Sequence, residues 1–287
     1  MIYIFLLLFL LLLFYSRYIE PGLFIMRERE MISLKIIKRP VSILHVSDLH
    51  LKGQVPTRLI RIIRKALKKG PDLILFTGDF TECDQDLAHL DKLLREFPDR
   101  IPRFAVLGNH EFHHYPVLHV FHHTLFQSKP RDIRPLLDLF KRHHIQVLRN
   151  QTRFLKTAKA SFALTGMEYT DHVDPLPSFH WTGIRKGYFH LLFFHSPDLL
   201  HFFKKEDYDG IDLILMGHTH GGQVRLPLIG PVVTRTRYTK WIVDGYARRH
   251  STFISSHRGL GQSFQFRFFC RPELVLLRIK PPEAHSA

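Results

Sequence analysis

Side chains that bind divalent metal ions follow several predicted β-strands in this sequence. They are Asp48 and His50 in SDLH, Asp79 in GD, Asn109 in GNHE, His195 in HSP, and His218 and His220 in GHTH, with His110 beside Asn109. Carboxylate, amide and imidazole groups together suit Mn²⁺, Fe²⁺ or Zn²⁺, and no thiolate is among them. The chemistry that these residue types offer is therefore that of a divalent metal site.

Short apolar runs that alternate with helical patterns must position these residues. Strands are predicted over 41–47, 73–77, 104–107, 190–194, 213–216, 254–256 and 274–279, and helices over 56–69, 86–97 and 133–143. This alternation is typical of an α/β domain built from βα units. Because the carboxyl ends of such strands share one edge of the sheet, we expect the metal-binding side chains to converge there.

Each of these residues alone also has a structural explanation, since a histidine at a strand end is often hydrogen-bonded and an aspartate often caps a helix. Their repetition at five strand ends favours a shared site. Glycines border them and permit sharp turns and close approach of the backbone to a ligand: Gly78, Gly108, Gly217, Gly221 and Gly222.

The composition is that of a folded protein with an anionic partner. Of 287 residues, 45% are hydrophobic and 23% charged, which excludes a disordered or collagen-like chain. The cysteines Cys83 and Cys270 lie far apart, which argues against a disulfide framework. The net charge of +15 suits a nucleic acid, an anionic lipid surface or a phosphorylated substrate.

The first 15 residues are uncharged and apolar. As a helix they are about 22 Å long, and continuing to Ile19 adds about 6 Å, against a hydrocarbon core of about 30 Å. No Lys or Arg precedes the run and no A-x-A-like site follows it, so an uncleaved membrane anchor is predicted rather than a signal peptide. The basic residues that follow place the bulk of the chain in the cytoplasm: Arg17, Arg27, Arg29, Lys35, Lys38 and Arg39.

The order D-x-H, GD, GNHE, an isolated His and GHTHGGQ resembles the calcineurin-like metallophosphoesterases. The resemblance implies a four-layer α/β/β/α sandwich over residues 40–281, after an anchor and basic juxtamembrane segment (1–39) and before a tail (282–287). It implies that Asp48, His50, Asp79 and His220 hold one ion, that Asp79, Asn109, His195 and His218 hold another, and that His110 is catalytic. Two Mn²⁺ ions are expected, with Fe²⁺, Zn²⁺ or Mg²⁺ as alternatives.

The stretch GHTHGGQVRLPLIGPVVT, with SSHRGLG and FRFFCRPELVLLRI, is similar to membrane-associated bacterial enzymes related to UDP-2,3-diacylglucosamine pyrophosphatases. This likeness implies cleavage of a lipid-linked sugar nucleotide to UMP and 2,3-diacylglucosamine 1-phosphate in lipid A biosynthesis. One well-known type of that enzyme carries Arg where this chain has His110. Five arginines are expected near a diphosphate: Arg225, Arg235, Arg237, Arg258 and Arg267.

Two further segments are interpreted in two ways each. An amphipathic helix starting near Pro116, within residues 112–130, would rest on the bilayer or pack on the domain, with His119, His122 and His123 facing solvent. The basic face of the helix at 56–69 would be solvated or face a membrane.

Rival functions remain open at this level. A phosphodiesterase or nuclease acting on another nucleotide or phospholipid would use the same metal pair, although no nucleic-acid-binding module is evident and nucleic acid is not an expected partner. A non-catalytic scaffold would have no need of the full ligand set that this chain retains. The oligomeric state is not predicted.

Overall fold

Two six-stranded sheets form the centre of the protein. A computed structural model describes residues 1–33, 39–116, 128–169, 186–234, 236, 240–243 and 245–281. The strands are β1 (Ile25–Ile32), β2 (Val41–Val46), β3 (Leu73–Thr77), β4 (Arg103–Val106), β5 (His113–His114), β6 (Lys129–Pro130), β7 (Ile145–Val147), β8 (Gln151–Lys156), β9 (Ser161–Gly166), β10 (Phe189–Phe193), β11 (Leu213–Met216), β12 (Arg225–Leu226), β13 (Gly230–Pro231), β14 (Tyr246–Arg249), β15 (Thr252–Ser256) and β16 (Glu273–Lys280). The α-helices are α1 (Ile2–Phe14), α2 (Thr57–Leu67), α3 (Leu87–Leu94), α4 (Asn109–Phe112), α5 (Arg134–Arg142) and α6 (Lys240–Val243).

Parallel strands carry the predicted site in both sheets. The first sheet has the order β1-β16-β2-β3-β4-β7, and the second has the order β14-β15-β11-β10-β9-β8. Strands β2, β3, β4 and β7 run parallel, as do β9, β10, β11 and β15. The carboxyl ends of β2, β3 and β4 therefore share one edge, and those of β10 and β11 share the corresponding edge of the second sheet.

Three apolar clusters define four layers. One cluster lies between the sheets and includes Ile43 and Leu75 from the first with Leu191 and Leu215 from the second. A second cluster packs α2, α3 and α5 on the outer face of the first sheet. A third packs α6 and the 3-10 helices Pro197–Phe202 and Lys205–Tyr208 on the outer face of the second sheet. The predicted α/β/β/α sandwich is confirmed, with a thin second helical layer.

Strand β1 corrects the predicted domain boundary at residue 40. It pairs in parallel with β16 over its full length and forms an edge of the first sheet. Its Arg29 is only 7% exposed and donates to Glu273 Oε1 at 3.0 Å and to Ser255 Oγ at 2.6 Å. The sheet domain thus begins at Ile25, inside the predicted juxtamembrane segment, and Arg29 is not available to lipid headgroups.

The N-terminal helix has no partner among the described residues over its apolar part. All of α1 is exposed although every side chain in it except that of Tyr3 is apolar. Helical structure continues to Gly22, and the whole stretch is long and apolar enough to cross a membrane. Its last turns dock on the domain, where Ser16 and Glu20 are buried.

The other predicted helices differ from the structure mainly at their ends. Helix α2 buries Leu59, Ile62, Ile63 and Ala66, as its apolar spacing predicts. The predicted helix at 112–130 lies largely outside the described residues, as do its three histidines, and the described ends of that segment form the β5–β6 ribbon.

Two buried histidines between the sheets predict a loss of stability in acid. His45 and His257 are fully buried with ring centroids 4.8 Å apart, and His45 Nε2 lies 2.9 Å from Thr77 Oγ1. Burial opposes the charged imidazoles and Arg29 repels them, so each pKa lies well below its ordinary value. Each histidine therefore takes up a proton on unfolding once the pH falls below about 6.5. This lowers the free energy of unfolding by about 1.4 kcal/mol per histidine for each further pH unit.

We expect the free energy of unfolding to decrease as the pH falls from 7 to 5, and the decrease to be smaller in His45→Phe. Urea unfolding of the full chain in detergent micelles at several pH values measures both slopes. Since Arg29 stays paired with Glu273 in both proteins, the difference isolates the imidazole. Equal slopes in the two proteins would contradict this account.

Candidate metal centre

The predicted ligands lie in tight turns directly after the parallel strands. Five of them have left-handed backbone: Asp48 (φ 50°), His50 (39°), Asp79 (56°), His218 (70°) and His220 (51°). Side chains other than glycine adopt this region rarely, and such strain concentrates at functional sites. The backbone of these turns is therefore in an unfavourable conformation that directs the five side chains toward one place.

Asp48, His50, Asp79 and His220 meet in a first group of donor atoms. His50 Nε2 lies 3.1 Å from His220 Nε2 and 3.4 Å from Asp79 Oδ2, and His220 Nε2 lies 3.6 Å from Asp48 Oδ1. All four residues are buried. This is the set that the sequence predicts for one ion.

Asp79, Asn109, His195 and His218 meet in a second group. His195 Nε2 lies 3.2 Å from Asp79 Oδ2 and 3.2 Å from Asn109 Oδ1. His218 Nδ1 lies 3.1 Å from both Asn109 Oδ1 and His195 Nε2. Because Asp79 Oδ2 is within 3.4 Å of a histidine in each group, one carboxylate oxygen faces both.

The spacing of these atoms fits divalent cations. Ligands at about 2.1 Å from one ion and at right angles to each other are about 3 Å apart, close to the 3.1–3.6 Å seen within each group. Burial raises the pKa of the Asp48 carboxyl, with Asp79 adding to it. Burial lowers the pKa of His195, but Asp79 outweighs it and raises that pKa to about 9. Positive charge is thus favoured beside Asp79.

Two glycines make room for the carboxylates, as their positions in the motifs predict. A Cβ on Gly108 would lie 2.2 Å from Asp79 Oδ1, and a Cβ on Gly217 would lie 2.4 Å from Asp48 Oδ2. Any side chain at either position would displace a predicted ligand.

Glu111 holds the turn of the shared carboxylate in place. Its buried carboxylate accepts the backbone N–H groups of Gly108 and Asp79 at 2.7 Å and of Phe80 at 2.8 Å. His195 is oriented from behind, because its Nδ1 lies 2.6 Å from the carbonyl oxygen of Thr77. Such outer contacts fix the ring nitrogen that faces an ion.

Glu82 contacts one predicted ligand and the predicted catalytic histidine together. Its Oε1 lies 2.6 Å from His50 Nδ1, and its Oε2 lies 3.3 Å from His110 Nδ1. His110 Nε2 lies 3.3 Å from Ser263 Oγ. Burial opposes charge on His110, but Asp79 and Glu82 outweigh it and raise its pKa above the ordinary value. His110 also falls within 4.8 Å of the donor atoms of His50 and Asp79.

Sequence reasoning missed Glu82, Glu111 and Ser263. Glu82 had a signal, since it follows Asp79 by three residues in GDFTE, and Glu111 stands in the quoted GNHE motif. Ser263 had none.

Five arginines are predicted to contact a diphosphate, and the prediction is wrong for Arg267. It is fully buried and donates to the carbonyl oxygens of Cys270 at 3.0 Å and Gly261 at 2.8 Å. Arg225 donates to the carbonyl oxygen of Gly221 at 3.0 Å. Arg258 lies 3.9 Å from Glu273. Arg235 and Arg237 lie outside the described residues.

Comparison with known proteins agrees with this geometry. The model of the calcineurin-like phosphoesterase family matches residues 41–222, which contain all seven predicted ligands. The chain belongs to the calcineurin-like phosphoesterases. This phosphoesterase is thus a metal-dependent hydrolase of phosphoester bonds, in a family that uses divalent metal ions.

Relatives match this phosphoesterase over most of its length. Phosphodiesterase YaeI of Escherichia coli is 30% identical over 272 residues, covering 92% of each chain. UDP-2,3-diacylglucosamine pyrophosphatase LpxG of Chlamydia muridarum is 28% identical, covering 82% of each. The structure of NAD nucleotidase from Haemophilus influenzae is similar with a TM-score of 0.49 at 15% identity, covering 77% of this chain and 45% of the other.

Proposed function

We propose that this phosphoesterase hydrolyses UDP-2,3-diacylglucosamine to UMP and 2,3-diacylglucosamine 1-phosphate in lipid A biosynthesis, at the cytoplasmic face of the inner membrane. The observation that carries the proposal is a pair of donor groups sharing Asp79 on a domain that also docks an exposed apolar helix. Similarity to LpxG supports the substrate. A metal-dependent hydrolase fixed to a membrane meets a lipid-linked substrate without extracting it.

In this proposal each donor group holds one divalent ion, with Mn²⁺ preferred. When bound, the ions neutralise phosphoryl oxygens and lower the pKa of a water molecule. Asp48, His50 and His220 form one side of the centre and Asn109, His195 and His218 the other, with Asp79 between them. Glu111 fixes the Asp79 turn, so the spacing of the two groups is set before substrate binds.

His110 acts as the proton donor or charge stabiliser at the leaving oxygen. Its raised pKa favours the protonated ring, and Glu82 on the Nδ1 side contacts the ring and orients it. The leaving group in the proposed reaction is a phosphate oxygen, which gains negative charge as the anhydride bond breaks.

A second candidate is a phosphodiesterase acting on another nucleotide or phospholipid. Similarity to phosphodiesterase YaeI, at 30% identity over nearly the whole chain, favours it. The metal centre and His110 would do the same chemistry, and only the groups attached to phosphorus would differ.

Release of UMP distinguishes the two candidates. We expect the full chain in detergent micelles to release UMP from UDP-2,3-diacylglucosamine when Mn²⁺ is present. EDTA should abolish this activity and added Mn²⁺ should restore it, because the donor groups supply no strong nucleophile of their own. Chromatography of the nucleotide product measures it. Hydrolysis of bis(p-nitrophenyl) phosphate without UMP release would contradict the substrate and favour the second candidate, and cleavage of single-stranded DNA would favour a nuclease.

A further inference from the structure

An exposed apolar surface lies on a hairpin and a neighbouring loop, and this loop is hydrogen-bonded to the base of the N-terminal helix. The β12–β13 hairpin and the residues just after it expose Leu226, Leu228, Ile229, Val232 and Val233, and the loop before β16 exposes Phe264 and Phe269. We call these seven side chains the apolar rim. Exposed apolar residues gathered on adjacent loops mark an interaction surface rather than ordinary surface composition.

Backbone hydrogen bonds join the rim to the helix. The N–H of Arg225 donates to the carbonyl oxygen of Phe268, and that of Phe268 donates to Gln223, both at 2.9 Å. On the other side of the same loop, the N–H of Arg267 donates to Ser16 at 2.9 Å and the N–H of Phe269 to Glu20 Oε2 at 3.0 Å. The hairpin, the loop and the end of the helix are therefore one connected unit.

This connection fixes the height of the rim relative to a bilayer. Ser16 follows the last residue of α1 by two positions, which is about 3 Å along a helix axis. When α1 lies in hydrocarbon, the loop bonded to Ser16 and Glu20 lies at the lipid surface. Phe269 in that loop is 58% exposed and contributes to the same surface groove as Leu228.

The tip of the hairpin is built to project an apolar side chain. Leu228 is fully exposed and has left-handed backbone, with φ of 65°. A turn of this kind usually places Gly or Asn there, because bulky side chains disfavour the conformation. The Leu228 side chain is not buried by the described residues. It would be stabilised by the hydrophobic effect only if something outside the described fold, such as lipid, covered it.

Basic residues around the same base suit anionic lipid headgroups. Arg58, Arg61 and Lys65 on α2 form a groove with Arg271 and residues 22–26, which follow the N-terminal helix. This groove agrees with the membrane-facing interpretation of the basic face of α2, which stays a prediction.

We propose that the apolar rim is a second membrane contact, which inserts into the lipid interface beside α1. It rests on the proposed location of this enzyme at the membrane. The hairpin begins at Arg225, five residues after His220, and a Cβ on Gly222 would lie 2.5 Å from Pro231, so the hairpin packs against the turn that carries His220. Insertion of the rim therefore holds the metal centre beside the headgroups, where the phosphates of a lipid-linked substrate lie.

Fluorescence quenching tests the insertion directly. The full chain carrying Leu228→Trp is reconstituted in vesicles of phosphatidylcholine and phosphatidylglycerol, with or without brominated acyl chains, and the emission of the wild-type tryptophans is subtracted. We expect brominated lipid to quench most of the added emission. Phe154→Trp on the edge strand β8 is the matched control, since Phe154 is also exposed, and it should stay unquenched.

Unquenched emission from Leu228→Trp would overturn the proposal. A blue shift of that emission in detergent that grows with protein concentration would instead assign the rim to a second copy of the chain. This readout needs no substrate, so it decides the membrane contact even if UMP is never released and the proposed function fails.

An activity ratio gives a second, independent measurement. In Leu228→Asp with Ile229→Asp, we expect hydrolysis of the vesicle-bound lipid substrate to fall about tenfold, because charged groups replace two apolar side chains that would insert into the lipid interface. Hydrolysis of bis(p-nitrophenyl) phosphate should be unchanged. Equal loss on both substrates, or loss on neither, would contradict the proposal.

Discussion

Asp79→Ala lowers kcat for phosphodiester hydrolysis by about 10³-fold or more, and this is the largest effect we expect from a single substitution. The reason is that Asp79 Oδ2 faces His50 at 3.4 Å and His195 at 3.2 Å, so one carboxylate serves both donor groups. If each donor group holds one ion, as we propose, the substitution would remove a ligand from each ion and the negative charge between them. Initial rates with bis(p-nitrophenyl) phosphate and Mn²⁺ measure the effect.

Metal analysis of the same variant separates loss of ions from loss of fold. We expect bound Mn²⁺ to fall from about two equivalents toward one or none, because each group would lose a ligand and the negative charge that offsets the repulsion between two neighbouring cations. Asp209→Ala is the matched control, because Asp209 is an exposed aspartate in a turn outside the site. Full activity or full metal content in Asp79→Ala would show that the two groups do not depend on a shared carboxylate.

The sequence predicts the central strands and the convergence of the ligands well, because both follow from local patterns. Buried parallel strands such as β3 and β11 are continuous apolar runs, and a glycine marks the sharp turn after each. The ligands converge because parallel strands end at a common edge, a rule that needs no knowledge of side-chain contacts.

Strand β1 is missed because its pattern is misleading. Its sequence IMREREMI carries four charged residues and follows an apolar helix, which is typical of a juxtamembrane segment. Two of its arginines instead pair with Glu273 on β16, which follows them by more than 240 positions in sequence. A buried ion pair between distant segments leaves no local signal.

The outer contacts of the metal centre are missed for a similar reason. Glu82 and Glu111 look like ordinary acidic residues of a loop and a short helix, and their roles depend on which atoms they meet. Arg267 is the opposite case, because its charge suggested a phosphate contact, whereas all three of its guanidinium nitrogens donate to oxygens of nearby loop residues.

A double-mutant cycle on Glu82 and His110 tests how these residues act together. We propose His110 as the catalytic proton donor and Glu82 as the positioning residue that contacts it and His50. We expect His110→Gln to lower kcat about 10²- to 10⁴-fold with metal content unchanged. Glu82→Gln keeps the shape of the side chain and should lower kcat about 10- to 100-fold.

The double variant should be no slower than His110→Gln alone, because Glu82 can influence kcat through His110 only while that imidazole is present. The contact with His50 predicts a separate effect, in which the Mn²⁺ concentration for half-maximal activity rises in both variants that lack Glu82 and in neither that keeps it. Kinetics of all four proteins over a range of Mn²⁺ concentrations measure both quantities. If the losses in kcat of the two single variants multiply in the double variant, Glu82 acts independently of His110. If His110→Gln binds less metal, His110 is a ligand instead, as its place beside His50 and Asp79 allows.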